Sequence, residues 1–192
     1  MAEFTIDELS IPDLPGERIP SPTGFGSISA DHPDVRFLQK RGYRLEQIER
    51  LSRLALPVNG VEALVIAAQE RSGPDYLPHY WIARTPERWQ GDLANLLTHM
   101  STDAPSAGLE EPEDVWTVER VIESDSRMGS RPRYTVVIEH LRTGHLVGFS
   151  KLSVPAQTHR AVDQYGTLVL KEHRGHALGM LMKVGNIAHL QR

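Results

Sequence analysis

Cysteine is absent from the 192-residue sequence, which excludes disulfides, a thiol nucleophile and thiolate metal sites. No apolar run approaches the roughly 20 residues that cross a bilayer, so no membrane partner is predicted. Excess positive charge is also lacking, because 21 Lys and Arg face 25 Asp and Glu for a net charge of -4. This balance argues against a general nucleic-acid binder. The acidic N-terminal residues do not form a secretion signal, and we predict a cytoplasmic protein.

About 40% of the residues are hydrophobic, and the 15 Gly and 13 Pro are close to average usage. The length suits one compact domain, or one domain plus part of another. Four prolines and two glycines within residues 1–24 predict a loop there, with at most one short strand. The chain therefore has enough apolar residues for a core, and its first segment contributes little regular structure.

The sequence of the first third of the chain predicts short strands and helices. A strand is expected near residues 24–30, followed by a helix over 33–40 with Asp31 as its cap and a proline in its first turn. Residues 43–56 fit two patterns, because apolar side chains recur every third residue as on a helix but also fit one face of a strand. Periodicity favours the helix. A further short helix is expected over 61–71.

The remaining sequence predicts a mixed α/β or α+β domain with a mostly antiparallel sheet. A strand, a helix capped by Thr85, a second helix, a β-hairpin, a third β run and a last helix follow one another. The expected ranges are 80–83 for the first strand, 85–100 and 113–125 for the two helices, 133–141 and 145–154 for the hairpin, 165–170 for the third β run and 175–191 for the last helix.

The passage with chemical content is the turn after the last predicted strand. A buried strand ends in a basic turn, and small residues at 175, 177 and 179 open the next helix. Unpaired N–H groups and the positive end of the helix dipole would converge there, which favours a pyrophosphate. Dinucleotide and nucleoside-triphosphate folds use similar turns, but the Walker pattern is absent. Binding of ATP or NAD is the alternative, and the antiparallel hairpin before the turn disfavours it.

Residues 174–179 resemble the acetyl-CoA motif of the GCN5-related N-acetyltransferases (GNATs), Arg/Gln-x-x-Gly-x-Gly/Ala, with Ala177 in place of the usual middle glycine. The hairpin residues 146–149 (LVGF) are similar to that family's central strands, and residues 89–100 are similar to its first helix. The resemblance covers residues 78–192. It implies a GNAT-like mixed, mostly antiparallel sheet flanked by helices.

Three passages resemble the second lobe of actinobacterial tandem GNAT proteins: residues 100–105 (MSTDAP), 166–169 (GTLV) and 173–176 (HRGH). Residues 37–43 are similar to the closing helix and turn of a first lobe, which would make 48–56 a strand instead of a helix. The resemblance thus divides the chain into three parts. These are the later half of one lobe (1–57), a linker helix and loop (58–77) and an acetyl-CoA-binding lobe lacking its C-terminal part (78–192).

The resemblance implies transfer of an acetyl group from acetyl-CoA to a primary amine of a small molecule. The main-chain N–H of Val169 would polarise the thioester carbonyl, and Glu172, with Glu139 and His140 as further candidates, would take the amine's proton. No metal is predicted, since His173 and His176 lack a carboxylate at ligand spacing. The predicted cofactor-binding residues are Leu168, Val169, Leu170, Arg174, Gly175, His176, Ala177, Leu178 and Gly179.

A complete GNAT lobe continues with a further strand and with a helix that often supplies a tyrosine as general acid. The sequence ends at Arg192, so we expect a truncated tandem enzyme; circular permutation or exchange between chains is the alternative. A non-catalytic module that binds CoA weakly or acts in dimerisation is the competing hypothesis. The exposed edge of an unfinished sheet would favour a homodimer. The sequence identifies neither the acceptor amine nor the oligomeric state.

Overall fold

A computed structural model of the chain describes residues 3–7, 15–49, 52–103, 112–127, 131–157 and 160–192. The described residues form two compact units, one before residue 56 and one from residue 56 onward. Within the described ranges, no helix is both long enough and apolar enough to cross a membrane.

The first unit contains two small sheets and one helix. Strand β1 pairs in parallel with β4, and β2 pairs antiparallel with β3. The helix α1 has Pro33 in its first turn, but its cap is His32, whose Nδ1 accepts the Asp34 N–H at 3.3 Å, and not Asp31 as predicted. The elements are β1 (Glu3–Asp7), β2 (Arg18–Pro20), β3 (Ser27–Ser29), α1 (Pro33–Lys40) and β4 (Arg44–Glu49).

The helical prediction for residues 43–56 is wrong. Residues 44–49 form β4, and described residues 52–55 have no regular structure. Leu45 and Ile48 are buried, whereas Leu54, which extended the three-residue pattern, is 64% exposed. Two buried residues three positions apart do not distinguish a helix from a strand, so the local spacing does not decide between them. The strand implied by the resemblance is present, but it lies earlier than 48–56.

The second unit is built on a four-stranded antiparallel sheet in the order β5-β6-β7-β8. Two 3₁₀ turns, Glu87–Trp89 and Lys171–His173, precede α3 and follow β8. The elements are α2 (Val61–Ser72), β5 (Tyr76–Ile82), α3 (Gln90–Asp103), α4 (Val118–Ser126), β6 (Arg133–His140), β7 (His145–Ser153), β8 (Asp163–Val169) and α5 (Leu178–Leu190).

Helices cover both faces of this sheet. Helices α2 and α5 pack on one face around Val136, Ile138 and Leu181, and α3 and α4 pack on the other around Leu93 and Val137. Because both faces are covered, β7 is buried along nearly its whole length. A mixed α+β architecture with an antiparallel sheet flanked by helices is the fold class that the sequence predicts, and it is confirmed.

One detail of the second unit differs from expectation. Thr85 does not cap a helix; its N–H donates to Asp125 Oδ2 at 2.7 Å, and a 3₁₀ turn precedes α3. Residues 58–77, predicted as a linker helix and loop, contribute α2 and the start of β5, and Val61 and Ala68 belong to the core. The short helix predicted over 61–71 is present as α2, and the division of the chain into lobes stays a prediction.

Candidate functional site

Strand β8 is the last strand of the sheet among the described residues, so one of its edges is open. Leu170 N–H donates to the Val147 carbonyl at 3.0 Å, and Gly148 lies opposite Val169. In an antiparallel pair hydrogen-bonded and non-hydrogen-bonded residues alternate. The N–H and C=O of Val169 therefore point away from β7 to the open edge. This is the geometry that an oxyanion donor at Val169 requires.

The chain then turns sharply into α5. The 3₁₀ turn ends at His173, Gly175 has a φ of 87° and Ala177 has a φ of 55°, both in the left-handed region. Glycine tolerates this region freely, whereas an alanine there costs about 1–2 kcal/mol. Ala177 therefore adopts the left-handed conformation at a cost in free energy. The motif that residues 174–179 resemble usually has glycine at this position, which would avoid that cost.

The N-terminus of α5 has no side-chain cap. The first intrahelical bond runs from Leu181 N–H to the Ala177 carbonyl at 3.0 Å. The N–H groups of residues 178–180 consequently have no acceptor within the helix. A methyl group added at Gly175 or Gly179 would meet no atom within 4 Å, so the turn is open around these two glycines.

Two cations flank the turn, and one carboxylate holds them. Arg174 Nε donates to the Val169 carbonyl at 3.0 Å, and its Nη2 lies 3.8 Å from Asp103 Oδ2. Lys171 Nζ lies 2.9 Å from Asp103 Oδ1. The hydrogen bond from Lys171 holds the pKa of Asp103 below its ordinary value. Asp103, at the end of α3, thus ties the turn to that helix.

The rings of Tyr76 and His140 pack against histidines of the turn. Tyr76, 7% exposed, places its hydroxyl 3.0 Å from His173 Nδ1, and its ring centroid lies 5.1 Å from that of His176. The buried ring of His140 lies 4.7 Å from that of His173. Burial lowers the pKa of His173, and the nearby His140 acts in the same direction. These contacts fix the backbone from which the N–H groups of α5 project.

The three proposed bases occupy different environments. Glu172 is exposed on the 3₁₀ turn. Glu139 contacts His79, with Oε2 2.7 Å from Nε2, on the face covered by α3. His140 faces the opposite side, where its Nδ1 lies 3.1 Å from Thr143 Oγ1. Within the described ranges, no three His, Asp or Glu side chains are arranged to hold a metal ion.

The structure thus brings the predicted residues 168–170 and 174–179 together at one end of the sheet. Sequence reasoning missed Asp103, Lys171 and the supporting Tyr76. Asp103 lies in the passage 100–105 that carries part of the tandem-GNAT resemblance, which is the one sequence signal that could have drawn attention to it. Lys171 is part of the basic turn that the sequence indicates, but nothing in the sequence links it to Asp103, and Tyr76 has no signal.

No protein-family model and no curated protein matches the chain. Among solved structures, the chain is similar to a tandem GNAT protein from the clavulanic acid biosynthesis pathway, determined without acetyl-CoA. The TM-score is 0.48 and the identity is 21%, and the match covers 83% of this chain. The chain spans 55% of the length of that protein. At this level the likeness carries no argument about activity.

Proposed function

We propose that the second unit is a GNAT-like lobe that binds acetyl-CoA at the turn between β8 and α5 and transfers the acetyl group to a primary amine of a small molecule. The observation that carries the proposal is the juxtaposition of an open strand edge at Val169 with an uncapped helix start at residues 178–180. The free strand edge can form hydrogen bonds with the pantetheine arm of acetyl-CoA and with its thioester carbonyl. The free N–H groups at the helix start can bind the pyrophosphate.

The donors and the space at the turn fit a pyrophosphate. Three N–H groups lack helical acceptors, the turn is open around Gly175 and Gly179, and Arg174 and Lys171 supply positive charge nearby. The positive end of the α5 dipole adds to this field. Residues 174–179 would hold the phosphates, and Leu168, Val169 and Leu170 would line the arm that leads to the thioester.

Bound acetyl-CoA supplies an activated acyl group. In the proposed reaction the amine nitrogen forms a bond to the acyl carbon, the carbon–sulfur bond breaks, and the thiolate leaves with the electron pair. The excess proton on the attacking nitrogen passes to the thiolate, directly or through water, which gives an amide and free CoA thiol. Val169 N–H donates to the carbonyl oxygen as negative charge develops on it. The ammonium form of the amine first loses a proton, for which Glu172 is the proposed acceptor, directly or through water.

Calorimetric titration with acetyl-CoA tests the binding step. Gly179→Glu places a carboxylate at the turn without strain, because Gly179 lies in α5 with normal φ and open space around it. Gly91→Glu is the matched control, since it adds the same charge to the first turn of α3, also in open space. We expect wild type and the control to bind with similar affinity and Gly179→Glu to bind at least about tenfold more weakly.

Two results would contradict the binding proposal: no binding by folded wild type, or equal binding by all three proteins. Release of free CoA thiol in the presence of a panel of primary amines tests the transfer step separately. Binding without thiol release would favour the alternative, a non-catalytic module that binds CoA or acts in dimerisation.

A further inference from the structure

A row of side chains crosses the sheet of the second unit on the face covered by α3 and α4. Strand pairing places Trp81 of β5 opposite Thr135 of β6, Thr135 opposite Lys151 of β7, and Lys151 opposite Gly166 of β8. Trp81 packs with the cluster on this face, and Thr135 and Lys151 are two residues from its members on β6 and β7. Side chains two apart on a strand share a face.

Lys151 is the unusual member of this row. Its side chain is almost fully buried, with 7% of the residue exposed. The described residues provide its ammonium with neither a hydrogen bond nor an ion pair, and Nζ lies 5.7 Å from the centroid of the Phe149 ring. A buried charge normally has a partner. Burial lowers the pKa of Lys151 to about 8.

A second donor on the same face also lacks a protein partner in the part of the chain that the structure describes. Trp81 Nε1 is sealed from solvent and has no hydrogen-bond partner within the described ranges. Thr135, 2% exposed, lies between the two strands that carry these donors, and its hydroxyl is able to donate as well. Buried polar groups without partners are rare, and each calls for an explanation such as a ligand or an ion.

The charges around Lys151 restrict the ligand. Asp125 on α4 and Arg133 on β6 act on its ammonium in opposite directions. Asp125 already accepts the Thr85 N–H, and Arg133 donates to Ser124 Oγ at 3.0 Å. With one free ammonium and a carboxylate nearby, the surroundings suit a singly charged anion better than a doubly charged one.

We propose that this row is a binding site for a carboxylate group, in which Lys151 Nζ, Trp81 Nε1 and Thr135 Oγ1 donate to the two oxygens. A carboxylate is planar, carries a single charge and accepts several hydrogen bonds, which matches three donors along one row. The site does not rest on acetyl transfer, because none of its residues belongs to the turn after β8.

Lysine side-chain NMR on the full chain tests the site directly. The chain has four lysines, at positions 40, 151, 171 and 183, so their ε-methylene signals can be assigned with single variants. Lys151→Met removes one signal, and Lys183→Met is the control because Lys183 is exposed. The titration midpoint of each signal is measured in chloride, in sodium acetate and in inorganic phosphate at equal ionic strength.

We expect acetate to raise the midpoint of Lys151 by about one pH unit when its concentration is about ten times the dissociation constant for the charged form. The other three midpoints should stay unchanged. A Lys151 midpoint that is the same in acetate and chloride, up to the solubility limit of acetate, overturns the proposal. A rise in phosphate alone overturns the assignment of a carboxylate.

Trp81→Phe tests the second donor. It removes the unpartnered indole N–H. We expect the affinity for acetate, measured from the rise in the Lys151 titration midpoint, to fall at least about threefold. Trp116→Phe is the matched control, because that indole N–H donates to Asp114 at 3.0 Å, outside the row. Equal acetate affinity in the two variants would remove Trp81 from the site.

Discussion

Replacing Lys151 by Met should stabilise the fold at neutral pH. Lys151 is 7% exposed, and burial lowers its pKa from the ordinary 10.5 to about 8. Methionine has a similar length and no charge, so it fills the same space without the cost of burying an ammonium. The perturbation therefore isolates the charge of this side chain from its packing.

The magnitude follows from the two pKa values. Because the folded state binds the proton less tightly than the unfolded state, the cost is full below pH 8, falls as the pH rises from 8 to 10.5, and is absent above 10.5. At 1.36 kcal/mol for each pH unit, the cost at pH 7 is about 3 kcal/mol. For a chain of this size, that corresponds to a rise in Tm of roughly 6–12 °C for Lys151→Met.

Urea denaturation at several pH values checks this prediction. The free energy of unfolding of Lys151→Met should exceed that of wild type by about 3 kcal/mol at pH 7, and the two should converge by pH 10.5. Lys183→Met, on the exposed side of α5, should differ little from wild type at either pH. A constant difference between wild type and Lys151→Met across this pH range would refute the reasoning, because it would show that the ammonium is not the source.

Three further predictions concern the second unit. Gly148→Ala should lower the free energy of unfolding by roughly 1–3 kcal/mol in urea denaturation, because the new methyl group would lie 2.9 Å from the Leu168 carbonyl oxygen, whereas Gly91→Ala, in open space, should not. Thermal melts should show wild type losing stability as the pH falls below 6.5, since the folded-state pKa of His173 is lowered, and His173→Asn should show a smaller loss; equal losses would contradict this. Asp103→Asn removes a negative charge beside the turn and should tighten acetyl-CoA binding by roughly twofold to fivefold at low salt in calorimetry, and unchanged or weaker binding would contradict it.

The sheet of the second unit could be predicted from sequence because its signals are local. The β-hairpin was expected over 133–141 and 145–154 and lies at 133–140 and 145–153. Alternating and continuous apolar runs joined by a glycine-containing turn determine both strands and their connection. The last strand and helix were likewise expected within three residues of their observed ends.

Features that depend on contacts between distant residues could not be predicted. Asp103 reaches Lys171 and Arg174 only because α3 ends beside the turn. The burial of Lys151 depends on the helices that cover this face of the sheet, α3 and α4, which no pattern within 145–154 reveals. The strand at 44–49 pairs with residues 3–7, and this distant partner overrides a local spacing that favours a helix.

The turn after β8 breaks several local rules in one place, and this concentration is itself an argument for function. Ala177 lies in the left-handed region where alanine costs about 1–2 kcal/mol, α5 begins without a cap, and Val169 directs its N–H to an open edge. A fold selected for stability alone would have glycine at 177 and a side-chain cap before 178. Residues held in costly conformations persist where the surroundings over-determine them, and such sites are frequently functional. Here the surroundings are the Tyr76 and His173 contacts beside the turn, so the same groups that fix the strained backbone also position the free N–H groups that we propose bind the pyrophosphate.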